Sequence, residues 1–96
     1  MRFSWDGRKD AANLAKHGVA FDEASRVFMD PLSHVEPDLS TQGRWRTFGE
    51  VDGQVLVVVH EDDEYIDHGQ VLTEIRIISA RFATAAEVRA YRDDSR

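Results

Sequence analysis

Five aliphatic residues in a row, Val55-Leu56-Val57-Val58-Val59, dominate the middle of this chain. An unbroken apolar run of this kind suits a central β-strand covered on both faces. It is far too short to cross a bilayer, which takes about 20 apolar residues in a helix. The neighbouring segments also read as β-structure. Residues 44–50 alternate, with Arg44, Arg46 and Phe48 on one face and Trp45 on the other, and Val51-Asp52-Gly53 has the composition of a hairpin turn. Residues 74–82, with Ile75, Ile77 and Ile78, form a second strong strand. Residues 33–36 are a weaker edge strand broken by Pro37, and residues 2–5 a short one with Phe3 and Trp5 on the same side.

Helix signals flank these strands. Asp6 is a good N-cap and Gly18 a good stop for a first helix. On that helix Ala11, Leu14 and Ala15 point one way, while Lys9, Asn13, Lys16 and His17 share the other face. A second helix over residues 22–28 carries an apolar stripe of Phe21, Ala24, Val27 and Phe28 and is stopped by Asp30-Pro31. Thr84-Ala85-Ala86-Glu87 is a capping box that opens a final helix with Val88 and Tyr91 on its buried side. The expected fold is α+β: an antiparallel sheet of three to four strands plus a short N-terminal strand, packed by two N-terminal helices and one C-terminal helix. At 96 residues it makes one domain spanning 1–96.

The absence of cysteine excludes disulfide frameworks, thiolate zinc sites and cysteine nucleophiles. Arg2, Asp6, Arg8, Lys9 and Asp10 interrupt the start of the sequence, so a signal peptide is not expected, and a cytoplasmic bacterial-type protein without membrane association is. The net charge of −6 argues at first against a nucleic-acid partner. The acidity is unevenly placed, however. Eight acidic residues and no lysine or arginine lie between Thr47 and Ile75, and outside that interval 12 basic residues meet 10 acidic ones. Most of the excess sits in Glu61-Asp62-Asp63-Glu64 and Asp67, which read as a solvated loop.

The histidines do not form a recognisable metal motif. His34-Val35-Glu36 places two potential ligands on one strand face and His60 and His68 follow, but no His-Glu-x-x-His helix exists, so neither a metal nor a cofactor is expected. Gly-x-Ser-x-Gly is missing, and the glycines are spread singly rather than gathered into a phosphate loop. The informative feature is the cations. Lys9, Lys16 and His17 share a helix face, Arg44 and Arg46 share a strand face, and Arg76 and Arg81 flank the second strong strand. Cations converging on one side of a small sheet can bind and polarise a phosphodiester without metal. Arginine's planar fork matches phosphate oxygens and stabilises charge on a pentacoordinate transition state. A histidine such as His17 can move a proton near neutral pH. Parity stands in the way: regular alternation puts Arg76 and Arg81 on opposite faces, and a bulge or strand end is needed to bring both to one site.

These residues carry a resemblance. Phe3-x-Trp5-Asp6 with Lys9 and Asn13, then Lys16-His17-Gly18-Val19-x-Phe21-x-Glu23-Ala24 and Val27-Phe28-x-Asp30-Pro31, resembles the start of the BrnT family of toxins. Arg44 with Phe48-Gly49, Gly53 and residues 55–59 match its middle, and Arg76-Ile77-Ile78-Ser79-Ala80-Arg81-x-Ala83-Thr84-x-x-Glu87 with Tyr91 its end. The resemblance implies a RelE-like fold and a metal-independent endoribonuclease toxin of a type II toxin–antitoxin pair that inhibits translation. It implies a ribbon-helix-helix antitoxin of the BrnA kind as partner, RNA as substrate, and operator DNA contacted only through the antitoxin. A homodimer is left open. By position, the family's basic residues fall on Lys9, His17, Arg44, Arg76 and Arg81, with Lys16 and Arg46 as further RNA contacts. Three departures stand out: Gly7 where the family often has proline, Gln42 where a glutamate usually precedes the middle arginine by two positions, and residues 61–74, which look like an insertion into a normally short hairpin. If the missing carboxylate is a general base in relatives, this chain is impaired or uses another group. The alternative function is a catalytically degenerate module that still docks the antitoxin and takes part in operon regulation.

Overall fold

In a computed structural model of the chain, residues 1–94 are described. Strand β1 (Arg2–Ser4) leads into helix α1 (Gly7–His17) and then α2 (Phe21–Ala24), which tightens into a 3-10 turn (Ser25–Met29). Strands β2 (His34–Pro37), β3 (Trp45–Val51), β4 (Gln54–Asp67) and β5 (Gln70–Phe82) follow, and α3 (Ala85–Asp94) comes last. The sheet has five strands in the order β1-β5-β4-β3-β2. Neighbours from β2 to β5 are antiparallel, but β1 joins β5 in parallel, so the sheet is mixed rather than antiparallel throughout. No hairpin links β1 to β5. Its direction is set by where α1 returns the chain, which strand alternation cannot reveal.

The aliphatic run forms the central strand. Leu56 and Val58 enter one core with Val19, Phe21, Ala24, Val27, Ile75, Ile77 and Ala80. Val55 and Val57 enter a second core with Phe48 and Tyr91, against which Ala83 and Val88 pack. The residues of α2 and the 3-10 turn therefore cover one face of the sheet, and those of α3 cover part of the other. At Gly49 the turn approaches the sheet so closely that a Cβ would lie 2.8 Å from both Cβ and the carbonyl oxygen of Val27. Asp30 staples the layers: its carboxylate accepts from the Glu50 N–H (2.8 Å), the Leu32 N–H (2.9 Å) and the Tyr91 hydroxyl. Burial and this bond push the Tyr91 hydroxyl up to about 12.

Three expectations need correction. The second helix is not continuous over 22–28; the Ser25 hydroxyl donates to the Asp22 carbonyl (2.6 Å), and the chain tightens into 3-10 geometry there.

Helix α1 does not bury its alanine–leucine face. Leu14 is 51% exposed, Ala11 and Ala15 are exposed, and the one buried residue of the helix is Asn13. The cause is the free edge of β5 beyond its short pairing with β1. There the Asn13 amide donates to the Ala80 and Val19 carbonyls (both 2.8 Å) and accepts from the Ala80 N–H (3.1 Å), standing in for the missing strand.

The acidic segment is not a loop. β4 and β5 continue as a two-stranded arm turned at His68-Gly69, whose φ values of 49° and 78° fit a type I′ turn. Cross-strand pairs Tyr65–Leu72 and Ile66–Val71 hold its register. Arg2 pins the arm's base, stacking on Tyr65 (3.8 Å) and pairing with Glu74 (2.7 Å).

Candidate active site

The parity conflict between Arg76 and Arg81 is resolved by a β-bulge. His60 pairs with Ile77 and Val59 with Ser79, which leaves Ile78 as an extra residue on β5. Opposite β4, Arg76 then faces Glu61 and Arg81 faces Val57, four positions apart on one strand and hence on one face. Arg46 and Phe48 face Val59 and Val57 from β3 and share that side, and Arg44, one residue before β3, reaches Glu61 with its Nε (3.4 Å). All four arginines therefore lie on the sheet face that α3 covers only at the Val55–Val57 end. Adjacent strands are about 4.8 Å apart and alternate residues about 6.6 Å apart along a strand, which sets the spacing of these cations.

These arginines differ in freedom. Arg46 pairs with Glu36 of β2 (2.5 Å). Arg81 is held in a fork by Glu87, with Nη1 donating to Oε1 (2.7 Å) and Nη2 to Oε2 (3.0 Å). Arg76 is exposed and, among the described residues, forms no ion pair.

Lys9, Lys16 and His17 are not on the sheet. They line a shallow depression along the β5 edge together with Ala12, Asn13, Ile78 and Ser79, so the bulge lies between the helix cations and the sheet arginines. The N-terminal end of α1 lies beside Arg76. The Asp6 carboxyl is held below its usual range by the Lys9 and Arg8 N–H groups, and the charges of Lys9 and Arg76 add to this. At the other end Gly18 lies beside Phe82. Lys9 thus accompanies Arg76, while His17, about 12 Å further along the helix axis, accompanies the Arg81 end.

Two of the histidines considered as ligands, His60 and His34, pack against aromatic rings. His60 is buried, with Nε2 2.7 Å from the Thr47 hydroxyl and Nδ1 2.6 Å from Asp62, and its ring lies against Phe28. His34 stacks on Phe48 (5.0 Å) and Tyr91 (5.9 Å). His68 lies in the tip of the arm. Among the described residues no three His, Asp or Glu side chains gather as a metal site.

The family model described as "Ribonuclease toxin, BrnT, of type II toxin-antitoxin system" matches residues 5–87. The chain belongs to this family. The matched span holds Lys9, Lys16, His17, Arg44, Arg46, Arg76 and Arg81, and it ends on Glu87, the residue that clamps Arg81. As a BrnT-family protein of a type II system, it has an antitoxin as its partner. A search of curated proteins finds no match. No helix among the described residues is long and apolar enough to cross a membrane.

Two carboxylates also meet these arginines, Glu61 and Glu87. Glu61 is one of four acidic residues in a row, and its alternation with the buried His60 places it on the arginine face. Glu87 has two roles. It caps α3, accepting from the Thr84 N–H (2.9 Å) while its own N–H donates to the Thr84 hydroxyl (3.2 Å), and it holds Arg81 as well. The Arg81 guanidinium, with the Thr84 N–H adding, pushes the Glu87 carboxyl down from 4.5 to about 2 against the effect of its partial burial. A depressed folded-state value stabilises the fold above pH 4.5, and this contribution is lost as pH falls toward 2. Urea melts from pH 5 to 2 should therefore show an acid-limb loss of stability that is flatter in Glu87→Gln. An unchanged limb would mean that the Arg81–Glu87 fork contributes nothing in solution.

Proposed function

We propose that the protein is a metal-independent endoribonuclease that acts in the cytoplasm, inhibits translation by cutting RNA, and is neutralised by a BrnA-like ribbon-helix-helix antitoxin. The observation that carries this reading is the Ile78 bulge, which turns Arg76 and Arg81 to the same open face as Arg44 and Arg46, beside the cations of α1. The RNA 2′-hydroxyl attacks the adjacent phosphorus. Arg44, Arg76 and Arg81 hold the phosphate and stabilise the charge that builds on it. Lys9 or His17 transfers protons, and Lys16 and Arg46 bind neighbouring phosphates. Antitoxin carboxylates cover the cationic face and shut the site, and operator DNA is met only through the antitoxin.

The test is direct. Purified protein in excess chelator should cut single-stranded RNA, and its expression should arrest growth unless the antitoxin is co-expressed. RNA left intact, with growth unaffected, would overturn the reading.

A second reading is a degenerate module that docks the antitoxin but no longer cuts. It is favoured by Gln42 and by the ion pairs that already occupy Arg44, Arg46 and Arg81.

A further inference from the structure

Across the open end of the sheet, three strands place Arg44, Glu61 and Arg76 in one row. Glu61 is the direct cross-strand partner of Arg76 and touches Arg44 at 3.4 Å. Directly opposed side chains in an antiparallel pair have Cβ atoms about 5 Å apart, so its carboxylate lies within reach of whatever Arg76 binds. Most other carboxylates bordering this face are engaged with arginines, Glu74 with Arg2 among them, while Asp63, two residues further along β4, accepts the Glu64 N–H (2.8 Å). Glu36 holds Arg46 at 2.5 Å, Glu50 pairs with Arg92 at 3.2 Å, and both oxygens of Glu87 hold Arg81. The contact of Glu61 is the longest of these, beyond the about 2.8 Å usual for charged pairs, and its side chain is 48% exposed. Among the described residues its Oε2 has no hydrogen-bond partner.

We propose that Glu61 is the general base of the reaction, an inference that rests on the ribonuclease reading above. With a phosphate seated on Arg76, Glu61 on β4 stands on one side, and on the other side Ser4 of β1 leads into α1, whose Lys9 lies by Ile78 and Ser79. A proton acceptor and a proton donor thus stand on opposite sides of the phosphorus, as in-line displacement requires. Glu61 takes the 2′-hydroxyl proton as the O2′–P bond forms and the P–O5′ bond breaks. The departing 5′-oxygen takes a proton from the α1 cations, leaving a 2′,3′-cyclic phosphate and a 5′-hydroxyl. Glu61 then returns its proton to water, and the α1 donor regains one.

The experiment compares wild type, Glu61→Gln and Glu61→Asp in single-turnover cleavage of an RNA oligonucleotide across pH. Affinity is measured separately on the same oligonucleotide with a 2′-deoxy group at the cut site. A lost general base costs about 10²-fold or more. Glu61→Gln should therefore cleave at least about 100-fold more slowly and lose the low-pH limb of the rate profile, with affinity equal to or tighter than wild type, while Glu61→Asp recovers part of the rate. Cleavage by Glu61→Gln within a few-fold of wild type, or a loss explained by weaker binding, overturns the proposal and leaves the ribonuclease reading standing. A wild type that fails to cleave removes both.

Discussion

Replacement of Arg76 by alanine is expected to slow RNA cleavage by about 10²–10³-fold, the usual cost of removing one well-placed donor from a developing oxyanion. Among the sheet arginines, Arg76 is the cleanest to test. It is exposed and without an ion pair among the described residues, so its loss leaves no carboxylate stranded and the thermal melt should stay close to wild type. Removing Arg81 would instead free Glu87 and disturb the start of α3, mixing a stability effect with a catalytic one. Antitoxin binding, measured by co-purification, should survive in Arg76→Ala. The same variant separates the two functional readings. An active toxin loses growth inhibition with this one side chain, whereas a degenerate docking module never inhibited growth.

The second large effect is on stability. Asn13→Leu should destabilise the fold by about 3 kcal/mol or more, because it strands the buried Ala80 N–H and the Ala80 and Val19 carbonyls at about 1–3 kcal/mol each. For a domain of this size that is a fall in Tm of roughly 12–24 °C, a large share of a total stability of about 5–15 kcal/mol. Asn13→Asp keeps the acceptor for the Ala80 N–H but sets a buried carboxylate oxygen against the Ala80 and Val19 carbonyls, so it should destabilise as well. If Asn13→Leu melts within about 2 °C of wild type, α1 does not seal the β5 edge in the way described. Helix-face reasoning alone puts position 13 on the polar face with Lys9 and Lys16, where a substitution would cost little. The opposite expectation comes entirely from the neighbouring strand edge.

The contrast between these two residues shows which parts of the site were legible beforehand. The family resemblance together with the grouping of cations pointed to Lys9, His17, Arg44, Arg76 and Arg81. They did not tell which face each would occupy, because a single extra residue at Ile78 reverses the parity of everything that follows. Glu61 was illegible for a related reason. Among Glu61, Asp62, Asp63 and Glu64 composition makes four equal charges, and only pairing with β5 sends Glu61 to the arginines and Asp62 to the buried His60.

By itself, the sequence determined the elements whose causes are local. The aliphatic run made a central strand, Asp52-Gly53 a hairpin, Asp6 and Gly18 the ends of α1, and Thr84 with Glu87 the start of α3. Each of these depends on residues within a turn or two of one another. The tertiary structure alone decided the parallel pairing of β1, the burial of Asn13, the strand form of the acidic segment and the shared face of Arg76 and Arg81. These are long-range matters: an unpaired strand edge must find hydrogen-bond partners, and the partner that fits is chosen by how distant segments meet.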